Sequence, residues 1–129
     1  MIAIDSSSFI AYLDGSTGPD VEATELALAH RQAALPPVVL TELLSDPVLS
    51  GELRTLLAGL PSLSVLDGYW ERAGLLRARI LARKRRARLA GTLIAQSCLD
   101  HDVELVARDP DFLPFAEIGG LKLFSARRP

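Results

Sequence analysis

The chain has 129 residues, 49% of them apolar and 23% charged, with a net charge of −2; this suits one globular domain spanning 1–129 with its own core. A single cysteine, Cys98, excludes an internal disulfide, and neither histidine, His30 or His101, stands beside a triad partner, so nucleophilic catalysis is disfavoured. There is no apolar run of the ~20 residues that a membrane span needs and no basic-then-apolar leader, so the expected setting is the cytoplasm, away from membranes.

In chain order, "MIAID" reads as a short strand ending in Asp5. "SSSFIAYLDG" follows as a helix that opens on hydroxyl residues and stops at Gly15. "STGPD" is a loop, with Asp20 expected to cap a helix over "VEATELALAHRQAA". Pro36 and Pro37 open the helix "VVLTELLS", since proline is tolerated in a first turn. "SGELRTLLAGL" gives a short helix closed by Gly59, and "SLSVL" a strand. A long amphipathic helix, "DGYWERAGLLRARILARK", carries Tyr69 and Trp70 at core or dimer-contact positions. A helix over 89–100, the strand "VELVA", the turn "RDPDF" and a last strand "LKLFS" complete the chain. Strands alternating with helices predict an α/β three-layer sandwich, a mainly parallel central sheet flanked by helices.

Charge is unevenly distributed. Arg77, Arg79, Arg83, Lys84, Arg85, Arg86 and Arg88 are half of the fourteen Lys and Arg, packed into twelve residues without an acid, and sixteen acids lie elsewhere. A dense basic strip on an acidic body is the footprint of a phosphate backbone, with Arg83, Lys84, Arg85, Arg86 and Arg88 as the RNA-binding candidates. The bland alternative is a solvated helix end.

In a parallel sheet, functional groups gather at the carboxyl ends of the strands. Asp5 ends the first strand, and Asp109 and Asp111 follow the strand at 103–107. Each alone could be a cap or a turn former. Glu42 adds to them from an otherwise apolar helix, where a buried unpaired carboxylate would be costly. Clustered carboxylates repel unless a cation compensates, and oxygen-only ligands suit Mg²⁺ or Mn²⁺ rather than zinc. A hard cation beside a basic strip points to phosphodiester hydrolysis, with metal-activated water in place of a covalent nucleophile.

These segments resemble the PIN domain. "IAIDSSSFIAYL" is similar to that family's opening strand, "VVLTELL" to its Glu-bearing second motif, and "LAGTLIAQSCLDHDVELVARDPDF" to its closing pair of motifs. Length and layout are most similar to VapC-type toxins of prokaryotic toxin–antitoxin pairs. The resemblance implies a metal-dependent endoribonuclease that inhibits translation. It would act as a homodimer within a complex and be held inactive by a cognate VapB-type antitoxin whose tail occupies a groove near the acids. Carried over by position, Asp5, Glu42 and Asp109 would bind metal, Asp111 would be an auxiliary carboxylate, and Ser7, with Ser6 beside it, would position an acid or a water. The family's remaining acid falls on Gly91. A glycine inside a helix costs about 1 kcal/mol relative to alanine. It reads either as a lost metal ligand in a weakened or inactive nuclease, or as a native helix cap. The rival function is a non-catalytic RNA- or antitoxin-binding module of the same fold. A phospho-acceptor domain would need paired acids in the first motif, and an aspartyl-phosphate hydrolase Asp-x-Asp; "DSS" supplies neither.

Overall fold

The computed structural model describes residues 1–124. The apolar stretch after Met1 forms strand β1 (Ile2–Ile4), the centre of a parallel sheet of order β2-β1-β3, with β2 at Ala33–Ala34 and β3 at Glu104–Val106. Ala3 is in register with Ala34 on one side and Leu105 on the other. Single parallel bridges, Leu35 with Ser62 and Leu105 with Leu123, extend both edges. Successive strand residues point to opposite faces. Ala3, Ile4, Ala33, Ala34, Leu105 and Val106 are nevertheless all at most 2% exposed. Both faces are therefore covered, which is the expected helix–sheet–helix sandwich.

Seven α-helices surround the sheet among the described residues: α1 (Ser6–Leu13), α2 (Pro19–Ala29), α3 (Pro37–Leu44), α4 (Gly51–Gly59), α5 (Tyr69–Ala82), α6 (Leu89–His101) and α7 (Leu113–Glu117). Their starts follow local chemistry. Asp5 caps α1, Pro37 opens α3, and Ser50 caps α4 by accepting from the Leu53 amide at 3.2 Å. Phe9, Val39, Leu57, Ile80 and Phe115, each at most 1% exposed, fill the core between helices and sheet. No helix among the described residues is long and apolar enough to cross a membrane.

Several expectations are corrected. The helix expected over 21–34 ends at Ala29, the chain turns through Arg31 at φ 55°, and Ala33–Ala34 become β2. Alanine favours helix, but these two positions are fully covered sheet sites next to β1, and tertiary burial overrides the propensity. Gly18, not Asp20, is the N-cap of α2. The strand expected over 62–66 contributes only the Ser62 bridge, and that over 121–125 only the Leu123 bridge; Ser125 lies outside the described residues. "PDF" closes a 3-10 turn (Pro110–Phe112) that runs into α7, where the sequence reading had only a turn. Tyr69 is core, while Trp70 stands outside with its ring edge-on to Tyr69.

The long helix α5 is clamped to α6. Arg72 donates to both oxygens of Asp100, at 2.9 and 2.6 Å, Gln96 adds a third bond at 2.8 Å, and the Tyr69 hydroxyl donates to the Leu93 carbonyl at 2.6 Å. The Arg72 bonds hold the Asp100 carboxyl below its ordinary 3.8. Stability from such a group is present above 3.8 and lost as pH falls through the lowered folded value. Asp100→Asn should therefore melt below the wild type at neutral pH, with the gap closing as pH falls below 3.8; thermal unfolding across pH measures it.

Candidate active site

β1 and β3 run out of the sheet together, because the Asp5 amide still donates to the Val106 carbonyl at 2.8 Å. Residues following each strand therefore emerge on one rim. β2 leads through Leu35 into α3, which carries Glu42 in its second turn. All three strands thus deliver an acid to the same end of the sheet. The result is a cleft of about 220 Å³ whose lining includes Asp5, Glu42, Asp109, Asp111, Gly91 and Arg88.

Asp5 is the most constrained of these, at 4% exposed. Its Oδ2 accepts from the Ser7 amide at 3.0 Å and from the Ser7 hydroxyl. That hydroxyl in turn accepts from the Arg108 amide at 3.1 Å, so one side chain joins the ends of β1 and β3 and orients the acid. Burial raises the Asp5 carboxyl above its ordinary 3.8, the Ser7 bonds oppose the shift, and the negative charge of Glu42 adds to it. Glu42 itself is exposed, so the burial argument made from its apolar helix does not apply. What fixes it is Ser6, whose hydroxyl donates to Oε1 at 2.8 Å.

Arg108 is a site-building residue that the sequence reading passed over; its only signal was its place in "ARDPD". The guanidinium grips both oxygens of Asp20 at 3.0 Å and reaches the Thr17 carbonyl at 2.8 Å, while Ser8 donates to the same carboxylate at 2.9 Å. The loop after β3 is thereby tied to the start of α2. Asp109 comes next and is exposed; it caps the 3-10 turn by accepting from the Asp111 amide at 2.9 Å.

The basic strip is less naked than its sequence. Arg85 pairs with Glu117 at 2.8 Å, and Arg88 and Arg86 lie 3.5 and 4.0 Å from Asp111. Arg77 and Arg79 are spent on the carbonyls of Ala87 and Ile118, both at 2.8 Å. The fold supplies counter-charges that are distant in sequence. Among the described residues, Arg83 and Lys84 have no carboxylate within 4.0 Å.

Asp5, Glu42, Asp109 and Asp111 share the cleft, yet among the described residues no three acidic, His or Cys side chains converge closely enough to hold an ion together. The donors fit a hydrated hard cation instead. Mg²⁺ keeps several waters and leans on one or two carboxylates, and Asp5 and Glu42 are the pair whose charges interact. Gly91 lines the same cleft. It is the third residue of α6, whose N-cap is Arg88, so it is not a cap. A Cβ there would meet Phe115 and Phe112 at 3.7 and 3.9 Å, ordinary contact distances. Neither packing nor backbone requires glycine, and the first turn of α6 holds no acid and no side-chain cap.

Because the raised Asp5 carboxyl favours its protonated form in the folded state, its contribution to stability is present below 3.8 and lost as pH rises through the folded value. Asp5→Asn keeps an N-cap oxygen and removes the buried charge. In EDTA it should melt above the wild type at neutral pH and lose that advantage toward pH 3.8; a lower melting point at neutral pH would show that the charge itself supports the fold.

The same architecture recurs in solved structures. FitAcB from Neisseria gonorrhoeae is similar at 17% identity and a TM-score of 0.69, with 97% of each chain covered. VapBC2 from Rickettsia felis, bound to a DNA fragment from its promoter, matches at 20% identity and a TM-score of 0.68, covering 96% of this chain and 98% of that one. VapBC-5 from Mycobacterium tuberculosis, of the VapBC family of toxin-antitoxin systems, matches at 22% identity and a TM-score of 0.67, covering 97% and 98%. No curated protein matches the sequence. The PIN domain matches residues 2–119, nearly the whole chain and every element of the cleft, and the chain belongs to that family.

Proposed function

We infer that the protein is a VapC-type toxin, a metal-dependent endoribonuclease whose activity is weakened by Gly91 and which a VapB-type antitoxin neutralises. The observation that carries this reading is the pairing of Asp5 with Glu42 at the carboxyl rim, each carboxylate held by its own serine hydroxyl. A bound Mg²⁺ or Mn²⁺ would lower the pKa of a water and offset the charge gathering on the scissile phosphate. Asp5 and Glu42 would hold it. Ser7 fixes the Asp5 oxygen that already accepts two bonds, and Ser6 fixes one oxygen of Glu42. Asp109, exposed at the same rim, would complete the ligand set or take a proton from an attacking water. Arg83, Lys84, Arg85, Arg86 and Arg88 provide the cationic approach for RNA.

An antitoxin partner is supported by two features. Three similar structures are named for toxin–antitoxin or paired Fit and Vap proteins. A groove of about 320 Å³ between α1, α3 and α4, lined by Ile10, Leu13, Leu43, Leu49, Leu53 and Leu57, shares Ile10 and Glu42 with the acid cleft. An apolar partner segment lying there would cross into the acids. The homodimer rests on the family resemblance, since Trp70 and Leu75, 63% and 67% exposed, are five residues apart on α5 and stand on different faces of that helix.

The non-catalytic binding module remains the second reading, and Gly91 is what favours it, since glycine stands where the resemblance implies an acid. One experiment separates the two. Single-stranded RNA is incubated with the wild type, Gly91→Asp and Glu42→Gln, with Mn²⁺ or EDTA, while Mn²⁺-induced shifts in melting temperature are followed alongside. A weakened nuclease cleaves slowly, stops in EDTA and is abolished by Glu42→Gln. Gly91→Asp should increase its apparent metal affinity ten-fold or more, since even supporting groups around a metal command ~10–100-fold. If neither the wild type nor Gly91→Asp cleaves, and Mn²⁺ shifts neither melting temperature, the nuclease reading fails and the binding module stands.

A further inference from the structure

Asp111 faces a different partner from the one that sequence position assigns it. Its Oδ2 is 3.5 Å from the Arg88 Nε and 4.0 Å from the Arg86 Nε, and Arg88 and Asp111 both line the acid cleft. The two arginine side chains are 64% and 63% exposed and that of Asp111 34%, so the pair is loose, solvent-screened and exchangeable. The backbone beneath is the opposite. The Arg88 carbonyl accepts from the Thr92 amide at 2.9 Å and from its hydroxyl at 2.8 Å, and the Ala87 carbonyl is held by Arg77 at 2.8 Å. An exposed guanidinium is thus mounted on a fixed point at the mouth of a cleft whose other charged groups are acids.

We propose that Arg88, with Arg86, forms a subsite for an RNA backbone phosphate next to the scissile one, and that Asp111 is its built-in counter-ion, displaced when RNA enters. Arginine's planar fork matches a phosphate better than it matches the single carboxylate oxygen it now shares. With the strip empty, Asp111 neutralises the arginines; with RNA bound, phosphate takes its place. Asp111 is then a competitor of substrate and not a metal ligand. The proposal rests on the RNA-cleaving reading of the cleft, but it concerns binding alone.

The test measures binding of labelled single-stranded RNA to the full chain in EDTA, where nothing is cleaved. Asp111→Asn should tighten binding roughly two- to five-fold, the range that an exposed ion pair commands. In a background with Arg86→Ala and Arg88→Ala together the same substitution should do nothing. Arg88→Ala alone should weaken binding and flatten the salt slope by about 0.7 for the lost phosphate. Asp102→Asn, which removes the same charge from the Lys122 pair away from both the cleft and the basic strip, should leave affinity unchanged. Mn²⁺ should shift the melting temperature of Asp111→Asn as it does the wild type. Equal tightening with and without the two arginines would mean bulk charge only, and loss of the Mn²⁺ shift would make Asp111 a metal ligand; either overturns the proposal. RNA binding without coupling removes the counter-ion alone, whereas no RNA binding by any form removes the nuclease reading with it. Coupling seen with an acidic peptide and absent with RNA would transfer the subsite to a protein partner and overturn the assignment.

Discussion

One buried carboxylate organises this molecule. Asp5 ends the central strand where the sheet leaves the core, and a charge there is unfavourable unless donors surround it. Ser7 supplies two donors to one oxygen, and its hydroxyl is itself held by the amide of Arg108. The chain after β3 is thus registered against the chain after β1 by one side chain. Arg108 then reaches across to Asp20 and secures the start of α2. The same bonds that cap α1 therefore also set where Asp109 enters the cleft. Fold and site are here one network, and the residual strain of the buried charge is what a cation would relieve.

The electrostatics divide by position. Within the cleft the acids share one lining, and burial, with a smaller part from the charge of Glu42, raises the carboxyl of Asp5. At its mouth the sign reverses, as Arg86 and Arg88 approach over Asp111. This division would draw a polyanion to the rim and a cation to the interior, as the proposed metal-assisted reaction on a phosphate chain requires. Gly91 sits where these zones meet. Its neighbours Phe112 and Phe115 leave room for a side chain, so packing does not demand glycine there.

The parts of this arrangement legible in sequence were those with local causes. Asp5 could be read because an apolar strand stops at it, Pro37 because proline opens a helix, and Asp109 and Asp111 because a strand precedes them. β2 could not, since two alanines carry no strand signal and only their burial beside β1 makes them a strand. The strip at 77–88 looked uncompensated because its acids, Asp111 and Glu117, come from the far end of the chain. Arg108 was invisible as a site residue for the same reason, since it acts on Asp20, eighty-eight residues away, and Ser6 was legible only as the neighbour of Ser7, because its partner Glu42 lies thirty-six residues away. Convergence of the acids was legible as a shared rim and not as a metal cage, because side-chain distance is set by packing that spacing does not encode.

The central claim is that the rim holds a hydrated cation on two carboxylates. A crystal of the wild-type protein grown with Mn²⁺ and measured at the manganese absorption edge locates the ion directly. A two-carboxylate site predicts one anomalous peak bonded to Asp5 and Glu42, with water in the remaining positions, water facing Gly91, and Asp111 still paired with Arg88. A peak bonded to Asp111, or none near Asp5 at saturating Mn²⁺, would contradict it.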